Sequence, residues 1–524
     1  MHVLQRLSAA RTLAIGFLAL GLATLLPYRV QASTWLRAET SHFVIYSDIG
    51  ESNTREYLEQ LEAFKYLAEL MLGSDSKGAL SNAKFTVYLF NDQDLLQVVR
   101  PEFDRYIAGV YMHCAEGAQA FAYRPVQWML GQPDFGLMIL LHEYAHHIMF
   151  SRMRRFYPAW YVEGFADYLS TVTLKRGVFT VGGNNKMRAD QLGPDATWID
   201  FRLMLDPKAY LAVAKKGRLN ALQFYAQSWI LTHFMLSDSG RAAAFNEYFD
   251  AIGAGQDAIP SFEKATGIPV GKLANAVRNH WRRLPGLKVT VPNLPDTEIT
   301  MSPMPKGEDD YIIQAATLRT CPSKEYGTRL TEQLRAMAKD HSSDSDYLIA
   351  LTRAEVLYGD PREARAHLQA ALASHQDEFD AAFLMGRSYY EEAQKGGKDR
   401  DELMSQARQQ FAAAYRLNKL DAPTLYYLSR TLTDNGDAPS KSLINASTGA
   451  ALLAPGVADY AVNAAIVNLR AGDRDMAMRV MKPFASDPHN PSYAARVSAM
   501  IEAIEADKEL DEVIAALNAK DEEE

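Results

Sequence analysis

The 524-residue chain is short of cysteine, of long apolar runs and of any surplus of positive charge. Its two cysteines, Cys114 and Cys321, are too few for a disulfide framework. An oxidising compartment permits a bridge between them, but at so wide a separation two unpaired structural thiols are the simpler expectation. Lys and Arg number 55 against 64 Asp and Glu, a net charge of −9. Nothing here would grip a phosphate backbone, so nucleic acid is not an expected partner. Beyond the N-terminal segment no stretch approaches the ~20 apolar residues that cross a bilayer.

The remaining composition, 48% hydrophobic, 23% charged and 10% aromatic, suits a soluble globular protein of two or three domains. Residues 1–32 read as an export signal. Arg6 and Arg11 start it, Leu13 to Leu26 form its apolar run, and Val30-Gln31-Ala32 offers small residues at cleavage-site spacing. An uncleaved anchor is disfavoured because the run is too short to span. The mature protein is therefore expected to be periplasmic or secreted, with no membrane span after signal cleavage.

Alternating β-branched and aromatic residues at Phe43–Ser47 and Phe85–Phe90 predict strands, and the apolar spacing of 51–72 predicts a helix between them. Residues 107–124 read as a hairpin turning at Glu116-Gly117, followed by a helix from about Pro133 to Met153 and another over 159–174. Further helices fill 200–283. Four prolines with few helix formers make 286–307 a linker. Past it, Ala364, Leu368, Ala371 recurs as Ala407, Phe411, Ala414, then Ala446, Ala450, Leu453, then Ala477, Met481, Phe484, always at i, i+4, i+7. Gly359-Asp360 and Gly472-Asp473 mark turns inside helix pairs. This resembles degenerate tetratricopeptide repeats over about 308–510, a generic Ala-rich bundle being the alternative. An acidic tail, 511–524, ends the chain.

The chemistry concentrates in His142-Glu143-Tyr144-Ala145-His146. On a helix the two histidines lie one turn apart on one face and can share a metal ion, while Glu143 beside them can reach a water in the open position. The preceding run Leu137–Leu141 makes this a core helix, where unpaired histidines and a glutamate are costly unless a metal satisfies them. The next helix, Trp160–Tyr168, can fold back to present Glu163 as third ligand and Asp167, one turn on, as the group that orients a ligand histidine.

These segments resemble the gluzincins, whose third zinc ligand is a glutamate on the following helix. Glu163-Gly164-Phe165-Ala166 is similar to the aminopeptidase N branch, and Glu163 with Asp167 to the thermolysin pattern. Residues 33–285 are most similar to bacterial peptidase MA-like domains, through the Trp35-to-Tyr46 opening and Tyr225-Ala226-Gln227-Ser228. The resemblance implies an α+β zincin-like catalytic domain followed by an all-α helical-repeat domain, with Zn2+ as cofactor and a peptide or protein as substrate. It implies Glu143 as general base and offers Tyr225 as oxyanion donor, though Tyr225 reads equally as a core residue. It also implies that the hairpin arm Ala118–Tyr123 is the edge strand pairing with substrate. His147 and His113 read as packing or structural residues. No Gly-x-Met-Glu-Asn segment precedes the motif, which favours internal cleavage. The repeats would hold a substrate or protein partner. Two rivals remain: a non-catalytic zinc-binding envelope scaffold or assembly factor, against which the retained Glu143 argues, and a hydrolase of non-peptide amides.

Overall fold

The computed structural model describes residues 35–72, 84–103, 107–124, 134–151, 156–175, 178–284, 286–290, 294, 296–305, 307–372 and 378–519. The expected leader at 1–32 lies outside them. Strands β1 (Leu36–Glu39), β2 (Phe43–Ser47), β3 (Phe85–Phe90), β4 (Gly109–Cys114), β5 (Gly117–Tyr123) and β9 (Thr300–Pro303) form one mixed sheet in the order β4-β5-β3-β2-β1-β9. β2, β3 and β5 run parallel, with Ile45 opposite Val87 and Val87 opposite Ala120. β1, β4 and β9 are antiparallel to their neighbours. A second, antiparallel sheet takes the order β6 (Thr173–Lys175), β7 (Val178–Val181), β8 (Leu287–Thr290).

Alternation along the strands sorts side chains to two faces. Phe43, Ile45, Val87, Leu89, Ala120 and Ala122 point into the main core, beneath α1 (Glu51–Leu72). Tyr88, Phe90 and Phe121 point the other way, onto α2 (Leu95–Val99) and, much later in the chain, α12 (Ile312–Leu318). Helix α1 buries Tyr57, Leu58, Leu61, Phe64 and Leu67 at helical spacing, while Leu70 is exposed. Next come α3 (Phe135–Ser151), α4 (Ala159–Ser170), α5 (Lys186–Ala189), α6 (Phe201–Leu205), α7 (Pro207–Ala214), α8 (Ala221–Leu236), α9 (Ser239–Gly253), α10 (Ala258–Thr266) and α11 (Val270–Trp281).

The Pro-rich segment 286–307, expected as a free linker, adds β8 to one sheet and β9 to the other. Its strands sit at sheet edges, where proline costs no ladder hydrogen bond on the solvent side. Residues 35–524 form one compact unit.

Helix α13 (Lys324–Met337) leads into antiparallel pairs: α14 (Ser345–Tyr358) with α15 (Pro361–Leu372), α16 (Glu378–Gln394) with α17 (Arg400–Leu417), α18 (Ala422–Thr433) with α19 (Lys441–Leu453), α20 (Ala458–Arg470) with α21 (Arg474–Met481), and α22 (Pro491–Glu505) with α23 (Leu510–Asn518). Ala407, Phe411 and Ala414 are fully buried on α17, as are Ala364 and Leu368 on α15. Small residues at these points let neighbouring helices approach. The expected acidic tail is corrected in part: Leu510–Asn518 is helical and buries Val513 and Leu517 one turn apart, which outweighs the solvated charges around them.

Two of the long-range features that join the halves lie at the β4–β5 hairpin. Cys114, at the end of β4, forms a disulfide with Cys321, just after α12, with Cα atoms 6.2 Å apart. The expectation of unpaired thiols fails because α12 packs on the back of the sheet and brings residues 207 apart in sequence together. Beside it, the tip of the β4–β5 hairpin enters the helical half. Glu116, only 3% exposed, pairs with Arg387 of α16 and, at 3.5 Å, with Arg353 of α14. It accepts a hydrogen bond from Tyr427 of α18 at 3.1 Å, and Tyr460 of α20 donates to the Ala115 carbonyl at 2.9 Å. Burial alone would raise the Glu116 pKa, but Arg387 and Arg353 hold it below the usual carboxylate range. The first helix of each of four successive pairs is thus occupied by the chain's own hairpin.

Candidate metal centre

Helix α3 is oriented by the residue between its histidines. Tyr144 packs against Phe43, Phe85 and Phe64, with ring centroids 4.9, 5.3 and 6.3 Å away. Tyr144, Ala145, Ile148 and Met149 are buried in the main core, which turns His142 and His146 to the other face, towards α4. His147 stacks on Tyr144, and burial pushes its pKa down to about 4, so it is a packing residue.

Every residue of α4 is buried. Its close approach to α8 requires glycine at 164: a Cβ there would lie 2.2 Å from both the Ser228 carbonyl oxygen and Thr232 Oγ1. Trp160 and Phe165 anchor the same helix among Tyr161, Phe245 and Phe249. Glu163 and Asp167 are thereby presented one turn apart towards α3.

The donor atoms converge. His142 Nε2 and His146 Nε2 are 3.2 Å apart, and Glu163 lies 3.4 Å from the first and 3.6 Å from the second. Among the described residues these three form the group able to hold a metal ion. Ligands about 2.0–2.1 Å from a common tetrahedral ion stand about 3.3–3.4 Å apart, and the triangle matches that spacing. Glu163 is fully buried, and neither carboxylate oxygen has an aligned hydrogen-bond donor. A buried, unsatisfied carboxylate facing two imidazoles calls for a cation. The residues fit a divalent metal.

Asp167 accepts from His142 Nδ1 at 3.1 Å, which directs Nε2 to the centre, and is itself held by Arg188 of α5 at 2.7 and 3.3 Å. Burial would lower the His142 pKa, but the Asp167 and Glu163 carboxylates outweigh it and push it up to about 10. Burial likewise opposes ionisation of Glu163, yet His489 and His146 beside it hold its pKa well below the usual range.

Glu143 is half-buried on α3, and its charge acts on Tyr111 and His113 of β4. The edge strand beside the site is therefore β4. The expectation that Ala118–Tyr123 would be the edge is corrected: β5 lies between β4 and β3, because it pairs parallel with β3 and leaves the hairpin's first arm outermost. His113, expected to be merely structural, is exposed on that edge near Glu143, Asp487 and His489.

Tyr225 is at the site, half-buried on α8, its ring beneath the Arg188 guanidinium at 4.7 Å and its hydroxyl 3.3 Å from His489 Nδ1. His489 Nε2 lies 3.1 Å from Glu163 Oε1. Two residues of this neighbourhood, Arg188 and His489, escaped the sequence reading. Arg188 carries no local signal. His489 carries a weak one, a histidine between Pro488 and Pro491 in an otherwise Ala-rich helical region. No family model matches the chain, and no curated protein matches it significantly.

Proposed function

We propose that this protein is an exported zinc-dependent metallopeptidase, with a zincin-like catalytic part and a tetratricopeptide-like helical part. The observation that carries the reading is the triangle of His142, His146 and Glu163 ligand atoms at tetrahedral spacing around a buried carboxylate that has no aligned hydrogen-bond donor. When bound there, Zn2+ supplies Lewis acidity, lowering the pKa of a water towards neutrality and polarising a carbonyl. Glu143, one residue from the first ligand and partly open to solvent, takes the proton of the attacking water and returns it to the leaving amine. Asp167 keeps the His142 ring in register. The free edge of β4 binds an extended peptide through backbone hydrogen bonds. The disulfide between Cys114 and Cys321 supports an oxidising, extracytoplasmic location. Among the described residues no helix is long and apolar enough to cross a membrane.

The test is metal analysis of the purified chain together with peptide-library digestion by wild type and Glu143→Gln. Near-stoichiometric zinc in both proteins, with cleavage lost only in the variant, is the expected result. Zinc bound without cleavage by wild type would sink the peptidase reading and favour a scaffold.

A further inference from the structure

The loop between the turn at Lys482–Ser486 and α22 brings a side chain of the helical half to the metal ligands. His489 touches Glu163 Oε1 through Nε2 at 3.1 Å and the Tyr225 hydroxyl through Nδ1 at 3.3 Å. It stands outside the trio of mutually close donors, so it flanks the ligand set without joining it.

Its placement is built into the docking of α22. The His489 backbone N–H donates to Asp487 Oδ1 at 2.9 Å, and Asn490 caps α22 by accepting from the Tyr493 N–H at 3.1 Å. Pro491 sets the first turn. Ala494 is fully buried in the core of the catalytic half, and Glu502 pairs with Lys208 of α7 at 2.9 Å. The His489 side chain itself is 56% exposed, so it meets solvent beside the buried ligands.

A neutral imidazole has one N–H and one lone pair. Tyr225 can donate its hydroxyl proton to Nδ1, which leaves the ring proton on Nε2, the nitrogen that faces the ligands. We propose that His489 is a catalytic residue supplied by the helical half: its Nε2–H donates a hydrogen bond to the scissile carbonyl oxygen as that oxygen gains charge, and Tyr225 is the positioning residue that sets the tautomer. No proton changes owner in this step. The inference rests on the metallopeptidase reading and moves the role expected of Tyr225 to His489, because His489 Nε2 faces the ligand set while the Tyr225 hydroxyl faces Nδ1. It also makes the helical half part of the reacting site and not a detachable recognition module.

The full-length, zinc-loaded chain is tested as wild type, His489→Ala, His489→Gln and Tyr225→Phe. A fluorogenic peptide chosen from those the wild type cleaves gives kcat and KM, chelator competition gives zinc affinity, and 15N NMR of the imidazoles gives the tautomer. His489→Ala should lose about 10²–10³-fold in kcat, the usual cost of one oxyanion donor, with KM and zinc affinity within about threefold of wild type. His489→Gln, which keeps an N–H donor, should recover part of the loss. Tyr225→Phe should shift His489 away from the Nε2–H tautomer and lower kcat less. A kcat within about threefold of wild type in His489→Ala would overturn the proposal, as would a tenfold fall in zinc affinity, the mark of a residue that holds the metal or orients its ligands. An Nδ1–H tautomer in wild type would also overturn it. If wild type binds no zinc, or Glu143→Gln cleaves normally, the peptidase reading and this inference fall together. Failure confined to the His489 variants removes this inference alone.

Discussion

Replacing Glu116 with glutamine tests how the two halves are held together. The substitution keeps the shape and removes the charge that faces Arg387 and Arg353, which are 3% and 6% exposed. Removing one partner of a buried ion pair typically destabilises by about 3–5 kcal/mol, because the other charge stays buried without compensation. Here each arginine keeps a second carboxylate, Glu391 at 2.8 Å from Arg387 and Asp380 at 3.0 Å from Arg353. The lower end, about 3 kcal/mol, is therefore expected for Glu116→Gln. The compact unit Trp35–Glu524 spans about 490 residues, which at about 2.1 cal/mol/K each gives an unfolding entropy near 1 kcal/mol/K and a fall in Tm of about 3 °C. Urea unfolding followed by far-UV circular dichroism measures the same loss as a shifted midpoint. Combining Glu116→Gln with Arg387→Gln should cost at least about 1 kcal/mol less than the sum of the single changes. A loss below about 0.5 kcal/mol, or strict additivity, would show that the hairpin tip is not held by these charges.

Asp167→Asn leaves the fold in place but weakens the acceptor for His142 Nδ1; zinc affinity by chelator competition should fall about 10–100-fold, and an unchanged affinity would remove Asp167 from the site. Gly164→Ala forces a Cβ within 2.2 Å of α8, so it should lower Tm and zinc content together; a variant that folds and loads as wild type would refute the packing argument. Glu308 is buried, and burial together with Asp346 pushes its pKa up to about 8 from an ordinary 4.5. Its neutral form is favoured in the fold, so its contribution to stability is complete below 4.5 and is lost as pH rises through about 8. Glu308→Gln should therefore raise Tm more at pH 8 than at pH 5, and an equal change at both values would contradict the assignment.

The cluster of His142, His146 and Glu163 was legible because its grammar is local. His142 and His146 need only a helix to share a face, and the apolar run Leu137–Leu141 makes that helix a buried one. Glu163, Gly164 and Asp167 needed one further assumption, that the next helix folds back, and the approach of α4 to α8 at Gly164 is how it does so. The expected pairing of small residues in the helical half was readable for the same reason. The edge strand was misread because alternation identifies a hairpin but does not say which arm pairs with β3.

What the sequence determined by itself, then, was the set of elements and the face on which each carries its chemistry, since helical and strand periods act over a few residues. Tertiary structure alone decided the disulfide across 207 residues, the burial of Glu116 among Arg353, Arg387 and Tyr427, the use of the Pro-rich segment as strands in both sheets, and the arrival of His489 beside Glu163. Each of these depends on how two separately built surfaces dock. That outcome is set by the summed burial and ion pairing of many residues far apart in the chain, and no short window of sequence contains it.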